Sequence, residues 1–115
     1  MFQVEKKMAI DPKKFFELIL FKKRPLVFTK HALLKLEKRF MDEAICEKEL
    51  TTLAPIHVEE QACDAQGERL FDAYYFQKDE KFHRYVIVIN EVIRVVTMMR
   101  ISRDLQKRWG LHAKN

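Results

Sequence analysis

Apolar residues recur every three to four positions through the first half of the chain and every second position afterwards, so helices are expected first and strands later. Asp11-Pro12 has the form of a helix start, a capping carboxylate followed by proline at the first helical position. Phe15, Phe16, Leu18, Ile19 and Leu20 continue that helix, and Lys22-Lys23-Arg24-Pro25 ends it. Leu26, Val27 and Phe28 read as a short strand. Thr29 caps a second helix with Leu33, Leu36 and Phe40 on its buried stripe, and Asp42 caps a third that runs through Ala44, Ile45 and Leu50.

From there strands are expected over 56–63, 69–77, 82–90 and 92–100, with turns at Gly67, at "QKDEK" and, tightly, at Asn90-Glu91. "RYVIVIN" and "VIRVVTMMR" are β-branched on both faces, the pattern of central strands covered by helices on one side. Ser102 caps a last helix, "RDLQKRW", which Gly110 stops. The expectation is one α+β domain: a four-stranded antiparallel sheet, plus a short first strand, with two or three helices on one face. Residues 1–25 form an added N-terminal helix and 110–115 a short tail.

Composition adds that no metal or disulfide is needed to hold a core, since 48% of the 115 residues are hydrophobic and nine are phenylalanine. Cys46 and Cys63 form no CxxC pattern and read as buried thiols in a reducing compartment. With no span of about 20 apolar residues and no signal-type N-terminus, a cytoplasmic protein without membrane contact is expected. Charge is unevenly spread. Residues 1–41 carry 11 Lys/Arg against 4 Asp/Glu, residues 42–80 carry 3 against 11, and residues 81–115 carry 8 against 2. Basic ends and an acidic middle fit either a surface that faces a polyanion or blocks that neutralise one another.

The odd residues sit in the last hairpin and the second helix. A two-residue loop at Asn90-Glu91 pairs Ile87 with Arg94, Tyr85 with Val96 and His83 with Met98, and it puts Arg94, Val96, Met98 and Arg100 on one face. A three-residue loop shifts the register and brings Arg84 there instead. Arg94 is then either an arginine at the sheet's open face, solvated or paired with an acid such as Asp72, or a phosphate ligand, for which a forked, permanently charged guanidinium is suited. His31, near a helix N-terminus, either bonds a strand end or offers a neutral imidazole to a groove flanked by Arg39. His57 and Cys63 share a strand face but lack a third metal ligand, and Tyr74, Tyr75 and Phe76 read as core partners more readily than as a base-stacking platform. No metal site or cofactor is called for.

"FTKHALLKLEKRF", a following short helix and "HRYVIVINEVIRVVTMMR" together resemble a group within the RelE/ParE superfamily of toxin-like proteins, over about residues 26–109. Members of that group open with a "T-x-H-A … R" helix and close with a strand near "I-x-V-V-T" before a basic stretch. The resemblance implies a RelE-like sheet whose open face binds RNA, at the ribosome in RelE-type mRNA endonucleases, and an antitoxin-like partner that wraps the toxin. It also implies metal-free cleavage, in which an RNA 2′-hydroxyl attacks the adjacent phosphate with the help of a base, an acid and cations. His31 and Arg39 match the helix pattern, and Arg94 and Arg100 the basic positions of the last strand. The chain departs in its terminal segment, where RelE-type enzymes often carry a tyrosine or histidine and this sequence has Trp109 and His112.

Two functions are expected on these grounds. One is a toxin-like, metal-independent endoribonuclease with His31 or His83 moving protons and Arg39, Arg94, Arg100, Arg103 and Lys107 binding nucleic acid. The other is a non-catalytic module of the same fold, a degenerate toxin or ParE-like inhibitor that binds protein or nucleic acid. The helix over 12–21 is apolar on more than one face and is the expected contact of a homodimer.

Overall fold

In a computed structural model, residues 7–61, 68–77 and 81–101 are described. They form strand β1 (Lys7–Ile10), helices α1 (Pro12–Leu20), α2 (Lys30–Lys38) and α3 (Glu43–Thr52), and strands β2 (Leu26–Phe28), β3 (His57–Gln61), β4 (Arg69–Phe76), β5 (Phe82–Ile89) and β6 (Ile93–Ile101). The expected terminal helix from Ser102, together with Arg103, Lys107, Trp109, His112 and Cys63, lies outside the described residues.

The three helix starts follow their capping chemistry. Asp11 accepts a hydrogen bond from the Lys13 amide at 3.0 Å, Thr29 from Ala32 at 3.1 Å and Asp42 from Ala44 at 2.8 Å. Each bond satisfies one of the amide donors that a helix start leaves unpaired. The class is α+β, with a six-stranded mixed sheet in the order β1-β3-β4-β5-β6-β2. That corrects the expected strand count. Residues 1–25 contribute more than a helix, because Lys7–Ile10 pairs antiparallel with β3 at one edge of the sheet. At the other edge β2 runs parallel to β6, with Val27 opposite Arg94.

The three helices cover one face of the sheet. Phe15 and Ile19 of α1, Ala32 and Leu36 of α2, and Cys46 and Leu50 of α3 pack on Phe71, Tyr75, Tyr85, Ile87, Val95 and Met98. The buried stripe of α2 therefore differs from the expected one. Leu33 is exposed, and Phe40 lies beyond the helix with 95% of its surface exposed. The helix closes in a Schellman motif, where the Met41 amide bonds the Leu36 carbonyl at 2.9 Å and the Phe40 amide bonds Glu37 at 3.1 Å. Phe40 takes the left-handed position of that motif, φ 54°, which glycine normally occupies and which costs a residue with a β-carbon about 1–2 kcal/mol.

The last hairpin decides which side chains meet. Ile89 pairs with Ile93 across a three-residue loop, so Val88 opposes Arg94. Within the loop, the Asn90 side chain accepts from the Val92 amide at 3.1 Å. Further along, β6 carries a bulge. Ile87 pairs with Val95 but Val86 pairs with Thr97, leaving Val96 as the extra residue. Residues before Val96 and residues after it thus fall on opposite alternations. Arg94 and Arg100 lie on opposite faces of the sheet, and the expectation that they share one is wrong for this reason. Thr29 anchors the irregularity: its amide bonds the Val95 carbonyl at 3.0 Å and its hydroxyl donates to the Val96 carbonyl at 3.2 Å.

Candidate active-site cleft

The bulge brings Arg100 directly opposite His83, on the helix-covered face. Directly opposed side chains start about 4.5–5.5 Å apart at their β-carbons. Both line a cleft of about 640 Å³ between the α2–α3 junction and the ends of β4, β5 and β6. Phe40, Met41, Asp42 and Ile45 form one wall, and Gln77, Lys81, His83 and Arg100 line the side made by the sheet. The Arg100 guanidinium touches the Met41 sulfur, which ties the two walls together at the rim.

Behind His83 stands Glu49, an acid on the buried stripe of α3 and only 6% exposed. Its Oε1 lies 3.0 Å from His83 Nδ1 and accepts from the Tyr85 hydroxyl at 2.5 Å, and its Oε2 accepts from the Gln77 side-chain amide. A carboxylate acceptor requires the proton of neutral His83 to sit on Nδ1, which leaves the lone pair on Nε2. Such a histidine is held in one tautomer and one ring orientation. Tyr85 is edge-on to His83, with ring centroids 6.4 Å apart. Burial, and then the charge of Glu49, push the Tyr85 phenol well above its ordinary pKa, so it keeps its proton and donates a hydrogen bond to Glu49. Tyr75, edge-on to Tyr85 at 5.5 Å, is raised by the same two causes. The Cys46 thiol is pushed up chiefly by burial.

His31 is exposed on α2 and does not line the cleft. Arg39 turns back onto its own helix, donating to the Lys35 carbonyl at 3.3 Å. Arg94 sits on the face opposite the three helices, 3.0 Å from Glu68. On that face it is Arg84 that pairs with Asp72, at 2.8 Å, over a carboxylate with no exposed surface. Burial depresses the guanidinium pKa, and the hydrogen bond and charge of Asp72 outweigh that and raise it. His57 there contacts Glu59 at 3.1 Å, and the described residues contain no group of three or more His, Cys, Asp or Glu able to hold a metal ion. Of the expected site residues that are described, His83 and Arg100 are the two that meet. Glu49, Gln77 and Lys81 were missed. A signal for Glu49 exists in the sequence, since Cys46, Glu49 and Leu50 form an i, i+3, i+4 stripe and an acid within such a stripe needs buried donors.

Chemically the cleft offers a base or acid on an oriented imidazole, with a guanidinium on the adjacent strand and an ammonium, Lys81, at its edge. No helix among the described residues is long and apolar enough to cross a membrane. No family model, curated protein or solved structure matches the chain.

Proposed function

We propose that this protein is a metal-independent endoribonuclease of RelE-like type, with its reaction centre at His83. The observation that carries the reading is the pairing of a carboxylate-oriented histidine with Arg100 across one rung of the sheet, at the wall of an open cleft. His83 Nε2 accepts the proton of an RNA 2′-hydroxyl, whose oxygen attacks the neighbouring phosphorus. Arg100 and Lys81 oppose the charge that builds on the phosphoryl oxygens. The P–O5′ bond breaks, the departing oxygen takes a proton from water in the cleft, and the products are a 2′,3′-cyclic phosphate and a 5′-hydroxyl. Glu49 holds the ring and balances the imidazolium that forms. The antiparallel run β3-β4-β5-β6, with α2 and α3 on one face, supports the RelE-like part of the reading.

The test is incubation of the purified protein with free single-stranded RNA and with ribosome-bound message, in chelator. Cleavage to cyclic-phosphate ends is expected, reduced roughly 10²–10⁴-fold by His83→Gln, the usual range for loss of a general acid–base group. Intact RNA in both arms, from protein shown to be folded, refutes it.

A second reading has its own support. The Glu49 network joins α3 to β5 and to Gln77 just after β4 and has a purely structural use, as expected of a non-catalytic binding module. Under that reading His83→Gln changes stability and leaves partner binding intact. An antitoxin-like protein partner or a second copy of the chain is then the ligand to seek by co-purification.

A further inference from the structure

Phe40 stands in the left-handed position that closes α2, where a β-carbon is disfavoured, and its ring is 95% exposed. Neither the backbone nor the core gains from a phenylalanine there. A strained backbone carrying an exposed aromatic ring, at the edge of a cleft, is a place to look for a contact with something outside the fold. The ring forms the rim of the cleft beside Ile45, itself 59% exposed. Across the cleft stand the cations Arg100 and Lys81. The acid on the same wall as Phe40, Asp42, is engaged by the Ala44 amide. A flat apolar shelf on one wall and fixed positive charge on the other match the two halves of a nucleotide, base and phosphate.

We propose that Phe40 is a stacking shelf for one unpaired nucleobase next to the phosphate that Arg100 holds, so that the substrate is single-stranded RNA. This rests on the ribonuclease reading and narrows its substrate class. A base within a duplex has its faces covered by its neighbours and cannot lie on Phe40 without leaving the stack.

The test measures fluorescence anisotropy of a labelled, fully 2′-O-methylated single-stranded 12-mer, which cannot be cleaved, and of the same strand in a duplex. Wild type is compared with Phe40→Gly and Phe40→Trp. Tighter binding of the single strand is expected, with an affinity loss of roughly 10-fold in Phe40→Gly, the order expected for losing one stacked base. Phe40→Gly is also expected to melt higher, because glycine relieves the backbone. Phe40→Trp is expected to bind like wild type and to lose indole emission on binding, beyond any change seen in the wild type. Equal affinity of all three proteins, or equal affinity for duplex, overturns the shelf while leaving the cleavage reading intact. RNA binding unchanged by Phe40→Gly, but a dimer turned to monomer, assigns the ring to a protein contact and likewise overturns it. Failure of the folded wild type to bind or cleave any RNA removes both proposals.

Discussion

Replacing Tyr75 with phenylalanine is expected to stabilise the protein, and the same change at Tyr85 to destabilise it. The two rings touch edge-on at 5.5 Å, and each has 1% of its surface exposed or less. Their hydroxyls differ. Tyr85 donates to Glu49 at 2.5 Å, whereas the Tyr75 hydroxyl is buried with no hydrogen-bond partner among the described residues. A buried hydroxyl without a partner costs about 1–3 kcal/mol, and a hydrogen bond to a charged group contributes about 1.5–3 kcal/mol. After a small allowance for the space left by one oxygen, Tyr75→Phe should gain about 1–2 kcal/mol and Tyr85→Phe should lose about 2 kcal/mol.

Urea unfolding at pH 7 reads both changes as midpoint shifts at constant slope. Repeating it above pH 10 adds an independent check. Both phenols have pKa values raised above the ordinary 10.0, so above that pH the unfolded chain releases their protons and the native state keeps them. The associated stability is complete below the unfolded pKa and is lost as pH rises beyond it, at up to about 1.4 kcal/mol per pH unit for each phenol. Each phenylalanine variant should remove its own share of that slope. Destabilisation by Tyr75→Phe of more than about 1 kcal/mol, or equal behaviour of the two variants, would refute the assignment of one unsatisfied and one satisfied hydroxyl.

Two further substitutions test the frame around the cleft. Arg84→Met takes the guanidinium away from the buried Asp72 carboxylate on the face opposite the helices and should cost up to about 3–5 kcal/mol, with Asp72→Asn in the same chain restoring much of the loss in thermal melts. Thr29→Val removes both the cap of α2 and the hydroxyl bound to the Val96 carbonyl, and should cost about 1–2 kcal/mol. Thr29→Ser should retain most of that stability; if serine and valine melt alike, the hydroxyl is not the anchor.

Local chemistry was legible without a structure. Asp11-Pro12, Thr29 and Asp42 each act within a few residues, so caps and helix starts followed from neighbouring letters. The β-branched alternation placed strands near β4, β5 and β6 for the same reason. Strand β1 was missed because four residues, Lys7–Ile10, hold too little period to register, and its pairing partner lies about fifty positions away in β3. His83 and Arg100 were singled out as unusual letters, yet their meeting was not foreseeable. Counting alternate residues assigns faces only while the ladder is unbroken, and nothing in "VIRVVTMMR" marks Val96 as the residue that breaks it.

By itself, then, the sequence determined the three helix starts, the strand segments other than β1 and the α+β class, because capping and side-chain alternation are short-range effects. Tertiary structure alone decided the faces. Hydrogen bonds from Thr29 to the Val95 and Val96 carbonyls join the start of α2 to the bulge, and the bulge turns Arg100 towards His83 and away from Arg94. Burial against the sheet likewise made Glu49 the acceptor for three donors, two from β5 and one from the residue after β4. A buried carboxylate is stable only where several chain segments converge to satisfy it, and that convergence exists only in the folded molecule.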